Sequence, residues 1–247
     1  MSMVKIMVIN NVEVYYERYN QGGEKPLVFL HGWGQNTEMM LPVAKPFIEN
    51  HEVILIDLPG FGKSGQLDRP YEVSDYVELL HKLLQKLDIK KPTLIGHSYG
   101  GKISLLYASK YEVEKLVLFG SPFQKEIEKE SLKLKTLRTL KKIPGINKLE
   151  GFAKKHIGST DYKNASPVMR ETLVKTVNLD ITEEVKKIKA PTLLIWGTAD
   201  EAVSIDRAYE LEKLIPDAGL VVYENATHYA YLENLGQTIS VMKSFLN

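Results

Sequence analysis

Ser98 is the residue of this chain whose surroundings best fit a nucleophile. It stands at the centre of Gly96-His97-Ser98-Tyr99-Gly100, after an apolar run typical of a buried strand and before residues spaced as in a helix. The free N–H groups and positive dipole end of that helix would lie beside the serine oxygen, where they favour negative charge. Gly96 and Gly100 fit this geometry because strand and helix leave no room for side chains there. The segment therefore predicts a strand, a very tight turn with Ser98 at its apex, and a helix.

A serine hydroxyl becomes a good nucleophile only when a base removes its proton, and we predict that His228 is this base. Two histidines follow Ser98 in the chain, His156 and His228. His156 lies in a lysine-rich helical segment with no strand end to fix its position. His228 follows a strand-like run and precedes the last predicted helix, and loops at the carboxyl edge of an open α/β sheet carry its ligand chemistry. His97, beside Ser98, is expected to be packed and hydrogen-bonded and not to act as a catalyst.

The base needs a carboxylate to hold its ring in the correct orientation, and we predict Asp200 for this role. Asp200 lies on the loop that leaves the apolar run ending at Trp196. Glu201 is its serious competitor and Asp206 a weaker one, whereas the loop directly after Phe119 contains no carboxylate. An aspartate at such a position is also commonly a helix cap or a turn residue, which stays open as an alternative.

Attack of a serine on a carbonyl carbon places negative charge on the carbonyl oxygen, which N–H groups must stabilise. We predict the backbone N–H groups of Tyr99, directly after the nucleophile, and of Trp33. Trp33 stands in His31-Gly32-Trp33-Gly34, directly after an apolar run, where the glycines leave the backbone exposed. The alternative is a tight turn without a role in chemistry. The glycine-containing loop at 57–64 is expected to be structural, since it lacks the spacing of a phosphate-binding loop.

Apolar runs that are continuous instead of alternating, and that are separated by helices, predict a parallel sheet covered on both faces. The predicted strands are 4–9, 12–17, 27–30, 53–56, 92–95, 116–119, 191–196 and 220–223. The first two flank Asn10-Asn11 and predict an antiparallel hairpin, because asparagine tolerates the left-handed backbone of its turn. Helices are predicted over 37–50, 73–87, 205–214 and 233–246, besides the one that follows Ser98. Pro42 and Pro46 are expected to kink or delay the first, and Ser74 or Asp75 to open the second.

The alternation of strands and helices stops at 120–122 and resumes at about 190. The intervening sequence is helical and rich in lysine, and it is too long for a loop between two strands. We therefore predict an α/β core over 1–121 and 190–247, with a mostly parallel, doubly wound sheet and an N-terminal hairpin. Residues 122–189 are predicted to form a helical cap inserted into this core.

Composition excludes several classes of function. The chain of 247 residues has no cysteine, which rules out disulfides, thiolate metal sites and a cysteine nucleophile. Its formal net charge of +1 favours no binding to nucleic acid. No apolar stretch approaches the ~20 residues of a membrane span. The first ten residues lack the features of a signal peptide, so a cytoplasmic location is expected.

Five segments stand in the same order and at similar spacings as in the α/β-hydrolase fold family. They are HGWG at 31–34, DLPGFGKS at 57–64, GHSYGG at 96–101, WGTAD at 196–200 and THYAYLE at 227–233. The chain resembles the small, single-domain serine hydrolases of this family, which are esterase-like proteins with a helical cap. The resemblance implies Ser98 as nucleophile, Asp200 as acid and His228 as base. It also implies the backbone N–H groups of Trp33 and Tyr99 as the oxyanion hole.

The resemblance further implies hydrolysis of a small or medium carboxylic ester through an acyl-enzyme, without a cofactor or a metal ion. Haloalkane dehalogenases and epoxide hydrolases of this fold use an aspartate where Ser98 stands, so neither activity is expected. Other activities of the same triad stay open: C–C bond hydrolysis, a lyase reaction, lactone or thioester hydrolysis, and slow turnover in a ligand sensor. Glu201 and Ser204 stand where family members often carry prolines, a departure in the loop of the predicted acid. No oligomeric state is predicted.

The predicted cap contains two sets of residues with alternative roles. Between residues 131 and 163 the basic residues outnumber the acidic ones, Glu150 and Asp161, and they are Lys133, Lys135, Arg138, Lys141, Lys142, Lys148, Lys154, Lys155 and Lys163. They either attract anionic substrates or form a solvated helix face, and we favour the solvated face. The apolar set either lines an acyl pocket or holds the cap down, and it includes Leu137, Leu140, Ile143, Ile146, Phe152, Tyr162 and Met169.

Overall fold

The structure is a computed structural model that describes residues 3–125 and 165–247. Eight strands lie within these residues: β1 Met3–Ile9, β2 Val12–Tyr19, β3 Leu27–Leu30, β4 Val53–Ile56, β5 Thr93–His97, β6 Leu116–Phe119, β7 Thr192–Gly197 and β8 Ala218–Tyr223. They form one sheet in the order β1-β2-β4-β3-β5-β6-β7-β8. The pairs β1–β2 and β2–β4 are antiparallel, and all other neighbours are parallel. This topology confirms the predicted α/β fold with its N-terminal hairpin.

Helices cover both faces of the sheet, which is why its central strands are apolar along their whole length. The described helices are α1 Thr37–Ala44, α2 Val73–Lys86, α3 Tyr99–Ala108, α4 Pro167–Asn178, α5 Thr182–Val185, α6 Ile205–Leu214, α7 Ala230–Glu233 and α8 Leu235–Leu246. One apolar layer joins α2, α3 and α6 to strand residues such as Val28 and Leu94. The other joins α1 and α8 to Phe29 and Ile95, because successive strand residues point to opposite faces.

The hairpin prediction at Asn10 and Asn11 is confirmed, since both residues have positive φ angles, 51° and 64°. Such a turn matches the twist of the strands on either side of it. The exposed face of β1 carries Val4, Ile6 and Val8. Strand β1 of the hairpin forms one edge of the sheet, and β8 forms the opposite edge.

Three predicted helix ends were wrong. The helix predicted over 37–50 ends at Ala44 and continues as a 3₁₀ turn at Lys45–Phe47, since Pro46 has no N–H to continue an α-helix. The helix predicted from about 233 to 246 is α8, which begins at Leu235 because Asn234 takes the non-helical angles φ −116° and ψ 41°; the short helix α7 directly before it was not predicted. Helix α2 opens at Glu72 and not at Ser74 or Asp75; the Asp75 carboxylate instead accepts the Glu72 N–H at 2.7 Å.

Helix α4 connects the predicted cap segment to the core. The Thr172 hydroxyl accepts the N–H of Tyr71 at 3.0 Å. The ammonium group of buried Lys102 donates to the Thr176 and Leu179 carbonyls, at 2.8 and 2.6 Å. These carbonyls belong to the end of α4, where a cation is favoured by the helix dipole. The last part of the predicted cap is therefore held tightly on α3.

The remainder of the predicted cap lies outside the described residues. This applies to His156, to the basic set, and to the apolar set except Met169, which is buried in the core layer. Between 165 and 189 the described residues contain two helices and no strand. The division into core and cap over 122–189 stays a prediction.

Candidate active site

Ser98 sits at a strained turn between β5 and α3. Its φ of 51° and ψ of −111° are rare for a residue with a side chain, and such strain concentrates at functional sites. A Cβ atom at Gly96 would lie 2.6 Å from the Gly101 Cα, and one at Gly100 would lie 2.4 Å from the Leu30 oxygen. The glycines are therefore required by the close approach of backbone, as the sequence predicted. Ser98 itself is half-buried.

His228 and Asp200 are in direct contact. Nδ1 of His228 lies 2.8 Å from Oδ2 of Asp200, whose side chain is only 1% exposed. Because a carboxylate only accepts, Nδ1 carries the proton and Nε2 is left with its lone pair. The other carboxylate oxygen, Oδ1, accepts the N–H groups of Ala202 and Val203, each at 2.9 Å. This arrangement orients the imidazole as a general base requires.

The two competitors for the acid position lie elsewhere. Glu201 is exposed to solvent, and so is Asp206 in the first turn of α6. Ser204 is the residue that caps α6, through a hydrogen bond from the Asp206 N–H to its hydroxyl at 3.3 Å. Asp200 is therefore not the cap of that helix. The bonds from Ala202 and Val203 show that it is also a turn residue, so its two oxygens hold the loop and the His228 ring.

Gly120 links the His228–Asp200 pair to the serine. A Cβ atom at Gly120 would lie 2.9 Å from His228 Nδ1 and 3.1 Å from Asp200 Oδ2. Phe119, the residue before it, accepts the backbone N–H of Ser98 at 2.9 Å. The four residues Ser98, Gly120, Asp200 and His228 thus follow the carboxyl ends of four neighbouring strands, β5 to β8, at one edge of the sheet.

The backbone around Trp33 meets the start of α3. The Gly100 N–H donates to the His31 carbonyl at 3.1 Å, and the rings of Trp33 and Tyr99 lie 5.2 Å apart in an edge-to-face arrangement. Across the described residues, neither the Trp33 N–H nor the Tyr99 N–H donates to a protein acceptor. Two free donors beside Ser98 are what an oxyanion hole needs, although their role stays a prediction.

Buried polar groups hold this loop in place. His31 accepts the Leu58 N–H on Nε2 at 3.0 Å and donates from Nδ1 to the Gly32 carbonyl at 2.7 Å. Burial lowers the pKa of His31 to about 4, which keeps the ring neutral as these two bonds require. Asp57 accepts the N–H groups of Thr37 and Lys63, each at 2.7 Å. These contacts agree with a structural role for the 57–64 loop.

Aromatic side chains form a wall beside Ser98. Phe61 packs edge-to-face on Trp33 with ring centroids 4.9 Å apart, and Tyr76 packs on Tyr99 at 5.3 Å. Burial raises the pKa of Tyr99 well above its ordinary value, so its hydroxyl stays protonated. The wall is defined as Trp33, Phe61, Tyr76 and Tyr99; Trp33 and Phe61 are partly exposed, whereas Tyr76 and Tyr99 are buried.

A model of the alpha/beta hydrolase fold matches residues 25–138 and 121–235. The chain belongs to the α/β-hydrolase family. It is 30% identical to Lipase 1 of Psychrobacter immobilis, across 94% of this chain and 80% of that protein. It is 23% identical to the pimeloyl-(acyl-carrier protein) methyl ester esterase of Aliivibrio fischeri, across 95% of this chain and 97% of the other. A putative lipase of Acinetobacter baumannii shares the fold, with a TM-score of 0.78 and 24% identity over 99% of this chain and 91% of that one.

The family relationship supports hydrolase activity for this α/β hydrolase. Within residues 3–125 and 165–247, no group of three histidine, aspartate or glutamate side chains is placed to hold a metal ion. No helix in the same part of the chain is long and apolar enough to cross a membrane.

Two residues of this α/β hydrolase's site were not assigned a role from sequence. The sequence pattern marks Gly120 only as part of a loop without a carboxylate where the alternation stops, and it predicts His97 to be packed and hydrogen-bonded without a more specific role. The role of Gly120 could have been predicted from its place at the end of a central strand, because side chains of neighbouring loops converge there. The signal for His97 was a polar residue inside an apolar strand, directly before the nucleophile.

Proposed function

We propose that this protein hydrolyses small or medium carboxylic esters through an acyl-enzyme on Ser98, with His228 as base and Asp200 as acid. The observation that carries the proposal is the buried contact between Asp200 and His228. This pair rests on Gly120, at the sheet edge where Ser98 occupies its strained turn. A histidine whose Nδ1 proton is held by a buried carboxylate, leaving Nε2 to act as base, is the arrangement of acyl-transfer enzymes.

In the acylation half, His228 Nε2 takes the hydroxyl proton as Ser98 Oγ bonds to the carbonyl carbon of the ester. The carbonyl oxygen becomes an oxyanion, which the backbone N–H groups of Trp33 and Tyr99 stabilise. The C–O bond to the alcohol then breaks as His228 returns the proton to the leaving oxygen. The products of this half are the free alcohol and an acyl ester of Ser98.

In the deacylation half, water replaces the alcohol. His228 removes a proton from water as its oxygen bonds to the acyl carbon, and the same N–H groups hold the second oxyanion. The proton then returns to Ser98 Oγ as the acyl bond breaks and the carboxylic acid leaves. Asp200 remains ionised throughout, stabilising the imidazolium form of His228 and keeping its ring in one orientation.

Two observations support an ester as the substrate. Relatives that align over nearly the whole chain are named as a lipase and a methyl ester esterase. The partly exposed rings of Trp33 and Phe61 in the aromatic wall supply apolar surface for an acyl or alcohol group. The proposal includes a small-molecule substrate, a helical cap over 122–189, a cytoplasmic location and no resident cofactor. Thioesters, lactones and C–C bonds are the competing substrates of the same machinery.

Labelling with a fluorophosphonate, followed by mass spectrometry, tests the nucleophile. We expect a single modified residue, Ser98, and no label on Ser98→Ala. Ser109→Ala is the matched control, since Ser109 lies at the far end of α3 and its hydroxyl donates to the Leu106 carbonyl at 2.8 Å. Label on another serine, or none on protein that hydrolyses esters, would reject the proposed mechanism.

A substrate panel tests the bond that is cleaved. p-Nitrophenyl esters from acetate to dodecanoate are compared with thioesters, lactones and vinylogous diketones at equal concentrations. We expect the highest kcat/KM on an ester of short or medium acyl chain. A higher value on any other class would replace the ester proposal while leaving the triad intact. Turnover on all of them far below ~1 per second would favour a ligand sensor.

A further inference from the structure

His97 contacts the loops on which the proposed base and oxyanion hole depend. Its ring is buried at the end of β5, directly before Ser98. Nε2 lies 3.1 Å from the main-chain oxygen of His228, and the two rings are 4.8 Å apart. On the other side, a Cβ atom at Gly32 would lie 2.8 Å from His97 Nδ1. The side-chain oxygen Oε1 of Gln35, which accepts the Gly32 N–H at 3.1 Å, lies 3.3 Å from the same nitrogen.

The contact with His228 has a defined direction. Both ring nitrogens face an oxygen that only accepts, and the His228 carbonyl at 3.1 Å is nearer than Gln35 Oε1 at 3.3 Å, so we assign the single proton of the neutral ring to Nε2, which donates it to His228. Burial lowers the pKa of His97 to about 3, so the ring is neutral near pH 7. His97 is therefore a fixed donor aimed at the backbone of His228, while Asp200 holds the ring of His228 at Nδ1.

We propose that His97 is a positioning residue that fixes the backbone of His228 relative to Ser98. The inference rests on the proposed function, in which His228 is the base. Since His97 and Ser98 are consecutive, the hydrogen bond ties the base to the nucleophile through a single peptide unit. Without this hydrogen bond, the backbones of Ser98 and His228 are connected only through the strands of the sheet and the loop after β8. The two hydrogen bonds on His228 thus hold different parts of it: Asp200 orients the imidazole and His97 places the main chain.

Glutamine and asparagine at position 97 separate this role from simple packing. The amide nitrogen of glutamine is as many bonds from Cα as His97 Nε2, whereas that of asparagine corresponds to Nδ1. His97→Gln therefore keeps a donor for the His228 carbonyl, and His97→Asn does not. His97→Leu removes both nitrogens and keeps an apolar side chain in the buried site.

We expect kcat for a p-nitrophenyl ester to fall by about 10- to 100-fold in His97→Leu and His97→Asn, because a small displacement of a catalytic group is enough for such a loss. KM should change by less than about threefold, since the substrate surface is untouched. His97→Gln should retain kcat within about threefold of the wild type. His81→Gln is the matched control, because His81 stacks on Tyr111 away from the site.

Proton NMR gives a readout that is independent of activity. The Nδ1 proton of His228, bonded to Asp200, should give a strongly downfield resonance that Asp200→Asn abolishes. We expect this signal to be broadened or lost in His97→Leu and His97→Asn, and to be present in His97→Gln. Thermal unfolding shows whether each variant is folded. If His97→Leu does not fold, the comparison of His97→Asn with His97→Gln still tests whether the donor at position 97 is needed.

The outcomes separate this inference from the proposed function. Wild-type kcat and an unchanged resonance in His97→Asn overturn the positioning role. Equal losses of kcat in the Gln and Asn variants, in step with equal losses of Tm, also overturn it, because packing then explains both. If Ser98→Ala and His228→Ala keep wild-type hydrolysis, the proposed function fails, while the His228 resonance still reports whether His97 positions that loop.

Discussion

The imidazole ring of His228 lies directly against the Cα atom of Gly120. A Cβ atom there would come within 2.9 Å of Nδ1 and 3.0 Å of Cε1, closer than side-chain carbons approach other groups. The φ of Gly120 is 51°, a conformation that glycine adopts freely and alanine does not. The end of β6 is thus shaped to receive the ring of the proposed base.

Gly120→Ala is expected to displace His228 and to strain the backbone. Activity on a p-nitrophenyl ester should fall by about 10²-fold, since the added methyl group moves the base. The free energy of unfolding should decrease by roughly 1–3 kcal/mol. Gly219→Ala is the matched control, because nothing lies within 4 Å of a Cβ atom at that position. Wild-type kinetics in Gly120→Ala would contradict the contact.

Ser98→Ala is expected to lower ester hydrolysis by several orders of magnitude, because the acyl-enzyme can no longer form. The thermal stability should be kept or raised, since alanine is small and the Ser98 hydroxyl does not cap α3 with a hydrogen bond. Steady-state kinetics beside Ser109→Ala provide the comparison. A loss below about tenfold would remove Ser98 from its proposed role.

Asp200→Asn is expected to lower kcat by about 10⁴-fold, the loss seen when the orienting carboxylate of a triad becomes an amide. The amide can donate to His228 Nδ1 and so favours the wrong tautomer, with the proton on Nε2. Asparagine keeps an oxygen for the N–H groups of Ala202 and Val203, so the fold should persist. Glu201→Gln changes an exposed neighbouring carboxylate, and a comparable loss there would transfer the acid role to Glu201.

Lys102→Met is expected to loosen α4 from the core. The variant keeps the length of the buried side chain but removes the donor to the Thr176 and Leu179 carbonyls. The free energy of unfolding should fall by about 2 kcal/mol, as expected for hydrogen bonds from a charged group. Urea unfolding measures this change, and limited proteolysis should cut sooner near α4. Glu171→Gln, at an exposed position of the same helix, should behave as the wild type.

The buried histidines predict a loss of stability in acid. Burial lowers the pKa of His31 to about 4 and of His97 to about 3, from an ordinary value of 6.5. Below pH 6.5 the unfolded chain binds protons that the folded protein does not, so stability falls as the pH decreases toward these folded pKa values. In His97→Gln the slope of unfolding free energy against pH, measured by urea unfolding near pH 5, should drop by about 1.4 kcal/mol per pH unit. An unchanged slope would contradict the lowered pKa of His97.

The sequence alone determined the elements and the types of side chain at their ends. Continuous apolar runs predicted the central strands, because strands covered on both faces must be apolar at every position. The turn chemistry of Asn10 and Asn11 predicted the hairpin, and the glycines around Ser98 predicted its tight turn. Helix ends were less certain, since capping at Glu72 and the break at Asn234 depend on local contacts that periodicity does not encode.

Only the tertiary structure decided which of these residues meet. His228 and Asp200 are 28 residues apart in the chain, and His97 and His228 are 131 apart. Their contacts exist because β5, β6, β7 and β8 are adjacent and parallel, which brings their carboxyl ends to one edge. Strand order follows from the packing of the whole chain and not from any single segment. For this reason the sequence could nominate Asp200 over Glu201, but only the folded sheet showed which carboxylate reaches the imidazole.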